Sequence, residues 1–148
     1  MGYTHHWTIT KRPTKKQWDA IMVEVSKLME TKTAFKLIRY ESDRATPPRL
    51  DAEAIRFNGR GENGHETFYL DRDKSREFCK TVRKPYDVLV TAVLTIVHHF
   101  APDCINVGSD GWPDEWQPAI DFLKEISFEK YEVPNTIEKR PVESVLLA

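Results

Sequence analysis

The sequence predicts an α+β fold: a two-layer domain in which a mainly antiparallel sheet carries its helices on one face. Three observations lead there. An amphipathic helix with a capping signal follows an alternating strand. Two strand-like runs flank a glycine-rich turn, which reads as a hairpin. A long helix that is apolar on nearly every side belongs in the middle of a domain. The order of elements is β-α-β-β-β-α-β-α.

Residues 4–10 alternate and are rich in β-formers, giving the first strand. Thr14 is placed to cap the first helix, and Gln17 stands three residues on, as a capping box requires. Trp18, Ile21, Met22, Val25, Leu28 and Met29 then form one apolar stripe, with Lys15, Lys16, Glu24 and Lys27 on the outer face. Residues 35–40 read as the second strand, and 42–49, with Pro47 and Pro48, as a loop. Residues 54–58 and 66–70 are the arms of the hairpin, with Gly59, Gly61 and Gly64 in its turn.

Residues 71–84 read as irregular, or partly helical around 76–81. Pro85 opens the second helix, which runs to about Phe100, because a first helical position does not need the missing N–H. Residues 104–107 are a short strand and 108–111 a turn. The third helix spans 114–126, with Trp116, Ala119, Ile120 and Leu123 inward and Pro118 expected in its first turn. Residues 1–127 are expected to make one domain, and 128–148 a C-terminal extension or tail on the surface, with one strand at 130–133. The apolar Val145, Leu146 and Leu147 at its end suit a partner or a second copy of the chain.

Composition narrows the class. At 148 residues the chain suits one domain with a core of its own. Lys and Arg number 22 against 23 Asp and Glu, a balance that speaks against nucleic acid as a partner. Two cysteines make no disulfide framework and show no metal-ligand spacing, so no metal or cofactor is expected and a reducing, cytoplasmic setting is. The N-terminus lacks the apolar run of a signal peptide. The longest apolar stretch, 88–97, is about half of the roughly 20 residues a membrane span needs, so no membrane contact is expected.

Polar and aromatic residues suited to chemistry gather at 4–7, 58–68, 78–87 and 109–112. Lys80, Arg83 and Lys84 precede a helix whose free N–H groups carry about half a positive charge, a setting for phosphate or carboxylate. Arg60 in the glycine turn adds to that charge. His5, Asn58, His65, Thr67 and Asp110 offer directional hydrogen bonds, and Trp7, Tyr86 and Trp112 offer rings for stacking. Residue types also allow a catalytic trio, with Cys79 as nucleophile, His65 as base and Asp87 as the orienting acid. The neighbours His5 and His6 should point to opposite faces of their strand, so they do not share one metal ion.

Several phrases occur together: residues 2–7 (GYTHHW), Phe57-Asn58-Gly59, residues 64–68 (GHETF), residues 78–81 (FCKT), residues 83–87 (RKPYD) and Ser109-Asp110-Gly111. In this combination the chain resembles a group of small proteins of bacteria and their phages for which no activity is established. The resemblance covers roughly residues 2–123. The group's opening is GYTHYW, so His6 departs from it. It implies a prokaryotic or phage accessory protein, in the host cytoplasm if phage-encoded, and supplies no mechanism.

The leading expectation is a binding protein for a small anionic, nucleotide-like ligand. A hydrolase or transferase using His65 with Cys79 or Asp87 is the alternative from another class. A protein-interaction module acting through the tail, with a homo-oligomer among its outcomes, is the third.

Overall fold

The computed structural model describes residues 2–141; Val145, Leu146 and Leu147 lie outside the described residues. The fold is α+β, with antiparallel strands throughout. Strand β1 (Thr4–Ile9) leads into helix α1 (Lys15–Met29), which starts on the expected capping box of Thr14 and Gln17. Helix α2 (Lys32–Leu37) follows, then the short strands β2 (Ile38–Arg39) and β3 (Arg49–Leu50). Strands β4 (Ala54–Gly59) and β5 (Phe68–Asp71) form the expected hairpin, and β6 (Ser75–Lys80) comes next. Helix α3 (Asp87–Phe100), strand β7 (Ile105–Ser109) and helix α4 (Pro113–Ile126) complete the described elements.

The strands form two sheets rather than the single expected one. One has the order β6-β1-β7; in the other, β4 pairs with β2 and β3 in succession and also with β5. On β1 the side chains of His5, Trp7 and Ile9 are buried, whereas His6 is exposed, as the period of two requires. The buried side packs with α3, whose residues 89–97 are all buried. Among the described residues no helix is long and apolar enough to cross a membrane.

Five expectations are corrected. Residues 32–37 are helical where a strand over 35–40 was expected, because the Thr31 hydroxyl accepts from Ala34 N (3.1 Å) and caps a helix start. Residues 75–80 are a strand, not an irregular or helical segment. The charged Arg76 and the exposed, apolar Phe78 hide the alternation that buries Cys79. Pro85 lies in the turn before α3, whose cap is Tyr86. Pro118 sits past the first turn of α4, where its missing N–H leaves the Asp114 carbonyl without its helical donor close to an exposed helix start.

The fifth correction concerns 128–141. Residues 130–133 form no strand, yet Tyr131 and Ile137 belong to the core. Glu24, expected on the outer face of α1, is buried beneath this segment and accepts from Tyr131 Oη (2.7 Å) and from the Ser127 hydroxyl. Burial pushes its carboxyl up, but hydrogen bonds from Lys27, Ser127 and Tyr131 outweigh this and hold it below the usual range. Thr136 Oγ1 donates to Val107 O (2.6 Å), and Arg140 pairs with Asp114 (3.0 Å).

Candidate functional site

Most of the singled-out segments meet at one end of the three-stranded sheet. His5 stands opposite Ser109 on β7 and Cys79 on β6, so register alone gathers these side chains. Ser109 Oγ lies 2.7 Å from His5 Nδ1, and Asp87 Oδ1, in the first turn of α3, lies 2.7 Å from His5 Nε2. Thr81 Oγ1 donates to the same carboxylate oxygen at 2.5 Å. The rings of Tyr3 and Trp116 stand edge-on to the imidazole, at 5.1 and 5.3 Å between centroids.

A Ser-His-Asp array invites a catalytic reading, and hydrogen-bond arithmetic decides the matter. A hydroxyl has one proton and two lone pairs. Ser109 Oγ accepts from Gly111 N (2.8 Å) and from Trp116 Nε1 (3.3 Å), so its proton goes to His5 Nδ1. Nδ1 is then the acceptor, and the ring's one N–H proton is on Nε2, which donates to Asp87. Ser109 therefore has no lone pair left for attack, and His5 is fully buried. The array joins β1, β7 and α3 as a closed polar tie.

The rim of this tie is strained. Val82 (φ 47°) and Arg83 (φ 60°) are both left-handed, in a turn closed by Lys84 N to Thr81 O (3.0 Å). Arg83 leaves that turn to lie 3.9 Å over the Tyr3 ring and to pair with Glu115. Burial, with the Asp87 and Glu115 charges, pushes the Tyr3 hydroxyl up to about 12.

The remaining expected residues serve their own surroundings. Lys84 Nζ donates to Glu62 O (2.8 Å), and Lys80 runs along Gly2. Asp87 itself occupies the helix start where a foreign anion was expected, and a carboxylate there suits the helix dipole. Cys79 is buried, and its thiol is pushed up to about 12, chiefly by that burial. Its partners are Glu66 O and Tyr86 Oη, and the buried Tyr86 donates to Glu66 O at 2.6 Å. His65 is exposed, with Nδ1 2.8 Å from Lys80 O; no hydrogen bond joins it to Cys79 or Asp87 among the described residues. Asn58 fastens the glycine turn through Gly59 N, His65 N, His65 O and Thr67 Oγ1. Asp110 accepts from Thr4 N (3.0 Å), and Arg140 lies over Trp112. Trp7 is buried against Phe68 and borders a cleft of about 520 Å³ on the open sheet face, beside His6, Phe78, Arg76 and Asn106.

A second cleft, of about 340 Å³, has unsatisfied chemistry. It lies between α2 and the glycine turn and brings together Arg39, Arg44 and Arg60 with Phe35, Pro47 and Pro48. The fold builds it from two loops tied together: Arg60 N donates to Leu37 O (2.8 Å) and Gly61 N to Asp43 O (3.1 Å). Gly61 has φ +59°, and a Cβ there would come within 3.2 Å of the Arg44 guanidinium, so glycine allows both the turn and the arginine's approach.

None of the three arginines has a carboxylate ion pair among the described residues. Arg39 donates to the carbonyls of Phe35 (2.5 Å), Ile38 (2.7 Å) and Arg44 (3.3 Å). Burial and the neighbouring Arg60 charge push its guanidinium below the usual value, with Asp43 opposing. Arg60 Nε is buried with no hydrogen-bond partner among the described residues. Arg39 and Arg60 both stand over the Phe35 ring, at 4.4 and 5.6 Å, and Phe35 is 64% exposed.

Of the residues singled out from sequence, only Arg60 lines this cleft. Phe35, Arg39 and Arg44 were missed because 35–40 reads as a strand and 42–49 as a plain loop. The available signal was a proline pair and two arginines between short elements, close to a glycine turn that carries a third. Comparison of the chain with family models, curated proteins and solved structures finds no match.

Proposed function

We propose that this chain is a binding protein for a small anionic ligand, seated in the arginine cleft rather than at the start of α3. One observation carries the reading: Arg60, with its buried unpartnered Nε, stands beside Arg39 and Arg44, and no carboxylate pairs with any of them among the described residues. Guanidinium forks match carboxylate and phosphate oxygens in pairs. Arg44 and Arg60 supply the directional bonds. Arg39, held by three carbonyls, supplies charge from a fixed place. Phe35, Pro47 and Pro48 cover the uncharged part, where the ring of a nucleotide-like ligand would rest.

Binding is favoured over catalysis by the state of the candidate nucleophiles. The Cys79 thiol is held protonated by burial, and the Ser109 hydroxyl is fully engaged. The test is a thermal-shift panel of phosphate, pyrophosphate and nucleoside mono-, di- and triphosphates. A ligand at one hundred times its Kd adds about 2.7 kcal/mol of stability. The shift should shrink with added salt and vanish in the Arg44→Ala/Arg60→Ala double variant. No shift with any anion refutes the reading; a shift that survives the double substitution places the anion elsewhere.

A further inference from the structure

The period of two that buries His5, Trp7 and Ile9 turns Thr4, His6 and Thr8 to the other face of the β6-β1-β7 sheet. The first face packs with α3, and the second carries the cleft of about 520 Å³. Register sets out what this open face presents. In one row Phe78 stands opposite His6, and His6 opposite Gly108. In the next row Arg76 stands opposite Thr8, and Thr8 opposite Asn106. The rows are about 7 Å apart, two residues along a strand.

The first row is a platform of rings. Phe78 is 63% exposed, and the His6 imidazole lies across Gly108, where a Cβ would come within 2.1 Å of Cε1. Glycine leaves the room that this ring position needs. The second row offers a guanidinium, a hydroxyl and an amide. The His5 tie consumes its polar groups, whereas this face leaves its own unused. Among the described residues the side chains of His6, Arg76, Phe78 and Asn106 enter no hydrogen bond, ion pair or ring pair.

Rings with a cation and an amide one row away suit an unstacked base and its phosphate. Every base has a π-face for a ring, a phosphate takes the guanidinium, and an amide both donates and accepts at a base edge. Charge has the right sign. Arg76 and Lys80, which lie on the same side of β6 as Phe78, have no carboxylate ion pair among the described residues, and Glu77 is the one acid lining the cleft. A duplex keeps its bases stacked on one another and shows no face to the rings. Stacking on one ring is worth only about five- to 150-fold in affinity. A lone nucleotide therefore gains too little from an open face, and a strand that covers both rings gains enough.

We infer that the open face of the β6-β1-β7 sheet binds a short single-stranded nucleic acid, with neighbouring bases on His6 and Phe78 and a phosphate at Arg76. The near-even charge of the chain fits such a site, because rings rather than a basic coat carry the affinity. The face shares no lining residue with the arginine cleft and stands independently of it.

Fluorescence anisotropy of the full chain with labelled ten-nucleotide oligouridine and oligothymidine at low salt tests this. At least one strand should bind with a micromolar Kd, and uridine monophosphate and a ten-base-pair duplex should compete at least about tenfold more weakly. Phe78→Ala should weaken binding at least about fivefold with an unchanged thermal midpoint, since that side chain is exposed. The slope of log K against log salt should lie between about −0.7 and −1.4, for one or two phosphates met, and Arg76→Ala should bring it about 0.7 nearer zero. The Arg44→Ala/Arg60→Ala double variant should bind the strand as the wild type does, so this inference and the arginine cleft fail separately. Absence of binding by both strands overturns the inference. So does a duplex or mononucleotide that binds as tightly as the strand, or strand binding that Phe78→Ala leaves intact.

Discussion

The His5 tie and the arginine cleft are both clusters of chemistry-bearing side chains, and they differ in what is left over. Around His5 every donor named has an acceptor: Ser109 to Nδ1, Nε2 to Asp87, Thr81 to Asp87, and Gly111 and Trp116 to Ser109. Around Arg60 donors exceed acceptors, and one buried N–H faces nothing among the described residues. The first cluster joins β1, β7 and α3 and stabilises the fold; the second gathers three guanidiniums that have no carboxylate ion pair among the described residues. Residue types that suggest catalysis are thus consumed by structure. The unpartnered Arg60 N–H sits in the glycine turn, beside arginines from segments whose residue types suggested no chemistry.

Removing the centre of the tie should have the largest effect. His5→Ala deletes a fully buried ring and leaves Ser109 and Asp87 without their shared partner. The expected loss is about 3 kcal/mol by urea denaturation. A loss under about 1 kcal/mol would mean that water replaces the ring and that the tie is not structural.

The strained turn at the tie's rim should respond in the opposite direction. Val82 is β-branched and holds φ 47°, a conformation that costs such a residue on the order of 1–3 kcal/mol. Glycine has no such penalty but a freer unfolded chain. Val82→Gly should therefore raise stability by about 1 kcal/mol in the same denaturation assay. An unchanged or lowered midpoint would show that Val82 packing outweighs the backbone strain.

The tie was half legible in the sequence. Alternation along β1 put His5 and His6 on opposite faces, and the phrases at 4–7, 78–87 and 109–112 were singled out together. What joined them is the register of β1 with β6 and β7, a long-range pairing that no local period reports. Strand β6 was hidden because Arg76, Glu77, Phe78 and Lys80 read as a charged surface, with only Cys79 fully buried. Helices α1 and α3 were clearer, since capping and apolar stripes are local: Thr14 with Gln17, and the buried run of α3. The cleft was the least legible. Its arginines come from β2, a loop and a turn, and Arg39 is distinguished by the carbonyls it binds rather than by its neighbours in sequence.

The smallest stability effect is the most telling one. Arg60 contributes a charge beside the buried Arg39 and forms no ion pair among the described residues. Its removal relieves a like-charge neighbour and a buried unpaired N–H, and costs a partial contact with Phe35. These terms oppose one another, so Arg60→Ala should change stability by less than about 0.5 kcal/mol, unlike His5→Ala. Added phosphate should then stabilise the wild-type chain and not the variant, which separates a residue kept for binding from one kept for folding. A loss above about 2 kcal/mol in the absence of any anion would erase the contrast, because Arg60 would then be as structural as His5.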